Sequence, residues 1–377
     1  MEIELSYDGK EPEKEIIKSV EPASLKLKKM HGEEQGGWVN KLIFGDNLAV
    51  LKNLCENPDV KGKVRLVYID PPFATGREFK TNNGKKGVKQ FSNAGEDAYV
   101  DSKIGAEYLE FLRKRLVLLR ELLADDGSIY VHIDLKMGHY VKVIMDEVFD
   151  RHFINDISRI KCNPKNFERA AYGNIKDMIL FYSKTNNYVW NGSYTDFTEE
   201  DIKRLFPKKD EKGRRYTTVP LHAPGETING ATGQEWKGME PPNGRHWRYA
   251  PERLTELDKQ KLIEWSSSGN PRLIKYADDA ERSGKKRQDI WKFKDPAYPS
   301  YPTEKNLDML KTIVSASSNE DDIVLDCFAG SGTTLVAAEQ LGRRWIGIDN
   351  SGTAISEAQS RLSTIITQPY AVYEQAD

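Results

Sequence analysis

The sequence has little cysteine and no long apolar run. Its 377 residues include three cysteines, Cys55, Cys162 and Cys327, which are widely separated and belong to no close-spaced Cys/His set. This pattern argues against a disulfide framework and a structural zinc site, and it indicates a reducing compartment. No stretch approaches the roughly 18 apolar residues that a membrane helix needs, and the N-terminus is acidic and polar rather than signal-like. We therefore expect a cytoplasmic protein with no metal site and no membrane partner.

An excess of charge of one sign is also missing. Lys and Arg number 56 and Asp and Glu number 58, which gives a net charge of −2, and 38% of the residues are hydrophobic. These values are ordinary for a globular protein, so a nucleic-acid partner would require a local basic surface. The length is sufficient for a catalytic domain and a second, smaller module.

A short motif follows a predicted buried strand in the first part of the chain. Val64 to Ile69 is mostly apolar, and Asp70-Pro71-Pro72-Phe73 then supplies a carboxylate, two prolines and an aromatic ring. In open α/β sheets, ligands bind in the crevice beyond the carboxyl ends of the strands. The motif therefore occupies the position expected for a binding site. By itself it fits a simple strand stop with a turn-favouring acid equally well.

The periodicity divides the chain into segments of different character. Residues 1–37 are highly charged and predict an arm or a poorly ordered tail. Residues 38–184 and 291–377 alternate between short apolar strands and amphipathic helices, which is typical of an α/β fold. Residues 74–103 lack periodicity and predict a mobile functional loop. Residues 185–290 lack aliphatic runs and predict an inserted module.

The inserted module is mildly basic and rich in tryptophan and tyrosine. Basic side chains with interleaved aromatic rings can contact phosphates and, at one or two positions, guanine edges. Each basic cluster taken alone fits a solvated face better, and it is their coincidence in one insert that favours DNA binding. The candidate DNA-binding residues are Lys208, Lys209, Arg214, Arg215, Arg245, Arg248, Lys285, Lys286 and Arg287.

A second motif, Asp326-Cys327-Phe328-Ala329-Gly330-Ser331-Gly332-Thr333-Thr334, lies between a predicted strand and a predicted helix. Its glycines allow the backbone to turn sharply and to approach a ligand closely. Asp349 ends the next strand, at the distance along the chain where a ribose hydroxyl pair requires an acceptor. A glycine turn without a ligand is the alternative interpretation.

Three cofactors could use this geometry. A nucleoside triphosphate is disfavoured because Gly332 is followed by Thr333 and not by lysine. A dinucleotide is disfavoured because Leu335 stands where a third glycine or alanine is required, and because Asp326 adds negative charge beside a pyrophosphate. S-adenosylmethionine carries an ammonium and a sulfonium but no phosphate, so it tolerates that acid.

The two motifs in this order resemble the beta class of DNA adenine amino-methyltransferases, in which the catalytic motif precedes the cofactor motif. Supporting matches are Leu42 to Leu48, Asp126 to Val131, Ile179 to Lys184 and Tyr301 to Leu307, although the family usually has proline where Asn306 stands. The resemblance covers about 38–184 and 290–367. The overall pattern is most similar to the modification subunits of type III restriction systems.

This resemblance implies a Rossmann-like fold for S-adenosylmethionine-dependent methyl transfer. Its sheet would be mostly parallel and seven-stranded with one antiparallel strand, and residues 185–290 would form the target-recognition domain. The catalytic residues would be Asp70, Pro71, Pro72 and Phe73. The residues near the cofactor would be Asp46, Thr303, Lys305, Asp326, Phe328, Ala329, Gly330, Gly332, Thr333 and Asp349. For Asp46, a helix N-cap is an equally good interpretation.

The implied chemistry is methyl transfer to the amino group of an adenine. That nitrogen is a poor nucleophile because its lone pair is delocalised into the ring. Two acceptors, the Asp70 carboxylate and the Pro71 carbonyl, would localise the lone pair, and the prolines would hold the carbonyls in place. The base must be flipped out of the duplex, and Phe73 could stack on it.

Three rival interpretations stay open. A cytosine-N4 methyltransferase of the same fold more often has Ser where Asp70 stands. Enzymes that methylate a glutamine amide or an RNA base commonly have Asn there, carry the cofactor motif first and lack a large basic insert. A DNA-binding subunit with impaired catalysis would not be expected to keep Asp70 together with Gly330, Gly332 and Asp349. The expected partner is double-stranded DNA, and the family also allows a homodimer and a separate restriction subunit.

Overall fold

The computed structural model describes residues 4–33, 37–72, 78–80, 97–100, 105–163, 170–297, 299 and 304–376. The predictions for Phe73, for Thr303 and for most of the 74–103 loop fall outside these residues. Within the described part, none of the helices combines the length and the hydrophobicity that crossing a membrane requires.

The described ranges contain helices α1 (Glu13–Ser19), α2 (Asn47–Glu56), α3 (Gly105–Leu122), α4 (Gly138–Val148), α5 (Glu199–Leu205), α6 (Pro251–Lys259), α7 (Ala277–Ser283), α8 (Leu307–Ser317), α9 (Thr333–Gln340) and α10 (Gly352–Leu362). A short 3-10 helix spans Ala231–Gly233.

The strands are β1 (Leu25–His31), β2 (Asn40–Phe44), β3 (Val64–Ile69), β4 (Glu78–Lys80), β5 (Asp97–Val100), β6 (Leu123–Ile133), β7 (Phe153–Ile160), β8 (Lys176–Ser183), β9 (Tyr194–Thr195), β10 (Lys208–Lys209), β11 (Arg215–Pro220), β12 (His222–Pro224), β13 (Arg245–Trp247), β14 (Ile263–Trp265), β15 (Pro271–Tyr276), β16 (Lys285–Lys286), β17 (Ile290–Trp291), β18 (Ile323–Asp326), β19 (Arg344–Asp349) and β20 (Tyr370–Gln375).

The main sheet has the strand order β1-β20-β2-β19-β18-β3-β6-β8-β7-β17. The neighbours from β20 to β6 pair in parallel, whereas β8 is antiparallel to both β6 and β7, and β1 is antiparallel to β20. The α/β class and the mostly parallel sheet are confirmed. Within the described ranges the sheet has ten strands rather than the predicted seven, because β1, β20 and β17 extend its edges.

Helices cover both faces of this sheet. One hydrophobic cluster joins α2, α3 and α4 to residues such as Val67 and Ile69 of β3. The other joins α8, α9 and α10 to Leu66 and Tyr68 of the same strand. Because successive side chains of a strand point to opposite faces, a strand that is buried on both sides has to be apolar almost throughout. This explains the uninterrupted apolar run before Asp70.

The prediction of an arm or poorly ordered tail for residues 1–37 is wrong, because the described part of this segment packs against the main sheet and its helices. Ile16 of α1 is fully buried, and the hydroxyl of Tyr7 donates to Glu110 on α3 at 2.6 Å. β1 pairs along its length with β20, at the opposite end of the sequence. Since its partner is so distant in the chain, the local pattern of charged residues in β1 gave no indication of the pairing.

The chain divides into two compact units. The first comprises residues Met1–Ser193 and Gln288–Asp377 and contains the main sheet, and the second comprises Tyr194–Arg287. The second unit has an antiparallel sheet of order β10-β11-β15-β14 and a core of its own that includes Trp236, Trp247 and Leu254. Its limits lie inside the predicted insert of 185–290.

Candidate functional site

A row of acids lies at one edge of the main sheet. Five neighbouring parallel strands, β2, β19, β18, β3 and β6, end there side by side. Each strand ends in or is followed closely by an aspartate, namely Asp46, Asp349, Asp326, Asp70 and Asp134. The fold therefore brings the two predicted motifs to the same crevice, which is the usual ligand position in open α/β sheets.

Asp70 has two carboxylate oxygens in different surroundings. Oδ2 is paired with the ammonium of Lys305, which precedes α8, and both side chains are largely buried. Oδ1 is buried and has no hydrogen-bond partner among the described residues. An unpartnered buried carboxylate oxygen is costly, and such an atom is suited to accept a hydrogen from a ligand. Pro71, next in the chain, is buried as well.

A buried hydrogen-bonded chain lies under this edge of the sheet. The Tyr68 hydroxyl is 2.8 Å from Nδ1 of His132, and Nε2 of His132 is 3.3 Å from Oδ2 of Asp177. Burial lowers the pKa of His132, so the ring is neutral at pH 7. Because the ionised Asp177 can only accept, Nε2 carries the ring proton and the Tyr68 hydroxyl donates to Nδ1.

Asp177 anchors the far end of this chain. Lys161 donates to its Oδ1 at 2.5 Å, and the fully buried Arg159 lies 3.6 Å from its Oδ2. Burial acts to raise the pKa of Asp177, but the hydrogen bonds from His132 and Lys161 and the charge of Lys161 outweigh it and hold the pKa below its ordinary value. The carboxylate is therefore a fixed negative charge. Neither Asp177 nor Arg159 belongs to a motif, and sequence reasoning missed both.

The glycine motif forms the turn between β18 and α9. Gly330 and Gly332 have φ of +50° and +75°, and a Cβ on Gly332 would lie 2.9 Å from Cβ of Ala358 on α10. Asp326 accepts from the backbone N–H of Phe328 at 3.0 Å and from the Thr334 hydroxyl at 2.6 Å. Burial, with further contributions from Asp70 and Asp349, raises the pKa of Asp326 to about 7.

Asp349 lies against the same turn. Its Oδ2 accepts from the Gly330 N–H at 2.8 Å and its Oδ1 accepts from the Ser351 N–H at 2.9 Å. Burial raises the pKa of this carboxyl. Each oxygen still has acceptor capacity, because a carboxylate oxygen carries two lone pairs. The geometry is therefore compatible with a hydroxyl ligand at Asp349.

Arg361 of α10 braces the glycine turn and was not predicted. One of its terminal nitrogens (Nη1) donates to the carbonyl of Ser331 at 3.1 Å, to the Ser331 hydroxyl at 2.8 Å and to the Thr333 hydroxyl at 2.9 Å. It also lies 3.3 Å from Glu304, beside Lys305. An arginine on an amphipathic helix gives no local signal of such a contact.

Asp46 is the N-cap of α2 and accepts from the Ala49 N–H at 3.4 Å, so the N-cap interpretation is confirmed. Its Oδ1 lies 3.1 Å from the buried Arg115, which also donates to Asn47 at 2.5 Å. Asn47 in turn donates to the carbonyl of Cys327 at 2.7 Å, next to Asp326. A contact of Asp46 with a cofactor stays a prediction.

The remaining predicted cofactor residues in the motif have ordinary packing contacts. Phe328 is partly buried, with its ring centroid 6.1 Å from that of Phe111, and Ala329 is buried. Ala329 donates to the carbonyl of Ile348 at 3.0 Å, which joins the turn to β19. Both residues thus fix the shape of the turn.

The nine basic residues predicted to contact DNA all lie in the second unit. Three pair with carboxylates, namely Lys208 with Glu264, Arg214 with Asp278 and Lys285 with Asp201. Others donate to neutral groups, namely Arg215 to Phe206 O, Arg245 to His222, Arg248 to Pro220 O and Arg287 to Tyr194 O. Lys209 ends β10 and Lys286 ends β16.

Comparison with known proteins gives a consistent set of matches. The DNA methylase family of N6 and N4 methyltransferases matches residues 64–360. The type II methyltransferase M.EcaI of Enterobacter cloacae is 43% identical over 370 residues, which cover 96% of this chain and 78% of that protein. The EcoP15I Mod subunit of Escherichia coli, a type III restriction-modification enzyme, is 26% identical over 80% of this chain, but the match spans only 56% of its own length.

Solved structures also match. The Thermus thermophilus protein TTHA0409 superposes with a TM-score of 0.46 and 17% identity, covering 90% of this chain and 100% of that one.

Proposed function

The chain belongs to the DNA methylase family, and on that basis we propose that it transfers a methyl group from S-adenosylmethionine to the exocyclic 6-amino group of an adenine in double-stranded DNA. One observation carries the choice of site. At the end of β3, Asp70 presents a buried Oδ1 that has no partner in the part of the chain that the structure describes, while Lys305 neutralises the charge on Oδ2.

The residues at the strand ends fit the proposed cofactor. The raised pKa of Asp326, about 7, indicates a buried acid with no cation among the described residues close enough to keep it ionised. A cationic ligand would supply that charge, whereas a phosphate would add repulsion. Gly330 and Gly332 have positive φ, which lets the turn bend sharply at the strand end, and Asp349 retains acceptor capacity for a ribose hydroxyl. When bound, S-adenosylmethionine supplies the electrophilic methyl group on its sulfonium.

Asp70 and Pro71 would act on the nucleophile. Oδ1 of Asp70 accepts one hydrogen of the adenine amino group, and the Pro71 carbonyl accepts the other. The nitrogen lone pair is then directed at the methyl group instead of the ring. After transfer the nitrogen holds one proton too many, and Asp70 is the acceptor nearest to it. The Lys305 ammonium holds Oδ2 of Asp70, and Oδ1 is left for the amino group.

Tyr68 and His132 are positioning residues in this scheme. Tyr68 lies two residues before Asp70 and so points to the same face of β3. Its hydroxyl is fixed by His132, which is held in turn by Asp177. This buried chain restrains the end of the strand from which Asp70 projects, and a rigid end keeps Oδ1 at hydrogen-bonding distance from the base.

The second unit, Tyr194–Arg287, is proposed to be the target-recognition domain, and DNA to be its ligand. Four relatives carry restriction-modification names, which supports a role in such a system. The chain spans 50 to 57% of the length of the type III Mod subunits that it matches. Because the match covers only part of these longer relatives, we state the separate restriction subunit and the homodimer of this chain as proposals.

The test is the identity of the methylated base. DNA from a host that expresses the protein is hydrolysed to nucleosides, and N6-methyladenine and N4-methylcytosine are separated by mass spectrometry. We expect N6-methyladenine only, at one sequence motif in the methylome. Asp70→Asn should abolish the product while leaving the affinity for S-adenosylmethionine largely unchanged. N4-methylcytosine as the product would overturn the assignment of the base.

A further inference from the structure

The second unit contains a group of arginines that have no carboxylate partners among the described residues. β12 and β13 form a two-stranded ribbon in which His222 is opposite Trp247 and Pro224 is opposite Arg245. Arg245 donates to Nδ1 of His222 at 3.1 Å. Arg248, just beyond the ribbon, donates to the carbonyl of Pro220 at 3.0 Å. The side chains of both Arg245 and Arg248 are exposed.

Arg272 on β15 completes the group. It donates to the hydroxyl of Thr218 at 2.9 Å and to its carbonyl at 2.8 Å. Burial lowers the pKa of His222, and the charges of Arg245, Arg248 and Arg272 lower it further. Three guanidinium groups thus act on one imidazole. We call His222, Arg245, Arg248 and Arg272 the ribbon cluster.

The ribbon cluster differs from the basic residues of this unit that pair with acids. Within the described part of the chain, the hydrogen bonds of its arginines go to neutral groups. Several other basic side chains in the unit pair with carboxylates, for example Arg204 with Asp201 at 2.9 Å and Arg253 with Glu256 at 2.6 Å. Glu264 accepts hydrogen bonds from Lys208 and Tyr216, and these lower its pKa. The charge of Arg272 lowers the pKa of Glu264 to a smaller extent.

The connection that follows β12 carries side chains suited to reading base edges. Asn229 and Gln234 are exposed amides. The segment that carries them is tightly folded, because a Cβ on Gly233 would lie 1.9 Å from the carbonyl oxygen of Thr227. Ile228 beside them is 87% exposed. A two-stranded ribbon fits the major groove of B-DNA, and an amide side chain can make a bidentate contact with adenine there.

We propose that the ribbon cluster holds the phosphates of double-stranded DNA and that residues 225–235, which follow β12, read base edges in the adjacent groove. The proposal rests on the proposed function for its ligand. The charge supports it, since guanidinium groups without acidic partners retain their affinity for phosphate, whereas paired ones contribute little new attraction. Basic residues that pair with carboxylates would then have a structural role in this unit.

The experiment compares two double variants of the whole protein. Arg245→Gln/Arg248→Gln removes two charges from the ribbon cluster, and Arg204→Gln/Arg253→Gln removes two arginines that are paired with acids. The duplex carries the site found in the methylome of a host expressing the wild-type protein. Dissociation constants are measured by fluorescence anisotropy between about 50 and 300 mM salt.

We expect the ribbon variant to raise the dissociation constant at least about tenfold at low salt and to reduce the slope of log K against log salt by about 2. The paired-arginine variant should change neither. Arg245→Lys/Arg248→Lys keeps both charges and should restore the slope, which separates loss of charge from misfolding. Asn229→Ala should relax the sequence preference in the methylome.

The outcomes separate this proposal from the one on which it rests. A wild-type protein that methylates no DNA would overturn the proposed function. A wild-type protein that methylates DNA, with a ribbon variant whose salt slope equals that of the paired-arginine variant, would overturn only the ribbon assignment. Equal loss of affinity in both double variants would also overturn it, because the effect would then follow total charge.

Discussion

The hydroxyl of Tyr68 lies 2.8 Å from Nδ1 of His132, and both side chains are buried. Tyr68 lies on β3, two residues before Asp70, which follows the strand. His132 lies on the neighbouring strand β6. The bond therefore connects the strand that carries the proposed acceptor to the next strand at the same edge of the sheet.

Tyr68→Phe should lower kcat by about tenfold without changing the affinity for S-adenosylmethionine. The substitution leaves Nδ1 of His132 buried without a donor, which costs roughly 1–3 kcal/mol and loosens the end of β3. Single-turnover rates at saturating DNA and cofactor measure the effect on the chemical step.

The matched control is Tyr130→Phe. Tyr130 is the opposite residue on β6, is equally buried, and has its hydroxyl 2.8 Å from that of Ser317. The Tyr130→Phe variant should lose about as much thermal stability as Tyr68→Phe but keep the turnover rate of the wild type. Equal losses of turnover in the two variants would mean that Tyr68 contributes stability alone.

Lys305→Met should reduce the single-turnover rate strongly, by about a hundredfold, because Asp70 then loses the cation that compensates its buried charge. Lys305→Arg should recover part of the rate. The measurement is made at saturating S-adenosylmethionine, alongside calorimetric titration of the cofactor. A normal rate combined with weak cofactor binding would instead support the sequence-based prediction that Lys305 serves the cofactor.

The buried carboxyl of Asp326 should make the stability of the apoprotein depend on pH. Its pKa is raised from 3.8 to about 7, so the native state binds the proton more tightly than the unfolded chain does. The stabilisation is complete below about pH 4, falls as the pH rises, and is lost above about pH 7. Between pH 5 and 7 the loss is on the order of 2 kcal/mol.

Urea unfolding at several pH values measures this contribution, with Asp326→Asn as the reference. The variant should show a flatter pH dependence between pH 5 and 7 than the wild type. Binding of a cationic cofactor should favour the ionised carboxyl, so calorimetry near pH 6 in buffers of different ionisation enthalpy should detect proton release. Parallel stability profiles for the two proteins would contradict the role of Asp326.

Gly332→Ala should destabilise the protein by about 1–3 kcal/mol, because the residue has a φ of +75° and the new Cβ would contact Ala358 on α10. Displacement of the turn should also weaken binding of S-adenosylmethionine. Thermal unfolding and calorimetry measure the two effects.

Gly352→Ala is the control for this glycine. Gly352 begins α10, and a Cβ there would have no neighbour within 4 Å. We expect unchanged or slightly higher stability, since alanine favours the helix over glycine. A Gly332→Ala protein as stable as this control would show that the turn can relax.

The amino-acid sequence by itself determined the α/β class, the strands that precede Asp70 and Asp326, and the presence of a separate central segment. Apolar runs with abrupt Pro or Gly ends are local signals, and they locate strand ends without knowledge of the partner strands. The N-cap alternative for Asp46 was also readable, since capping is a contact between residues close in the chain.

Only the tertiary structure decided which distant residues meet. The pairing of Asp70 with Lys305, the chain from Tyr68 through His132 to Asp177, and the contact of Arg361 with the glycine turn each join elements far apart in the sequence. The same holds for β1 beside β20, and for the carboxylates that neutralise Lys208 and Arg214. A charged residue has the same local pattern whether its partner is an acid, a neutral group or solvent. Its role therefore follows from the packing of the sheet and helices around it.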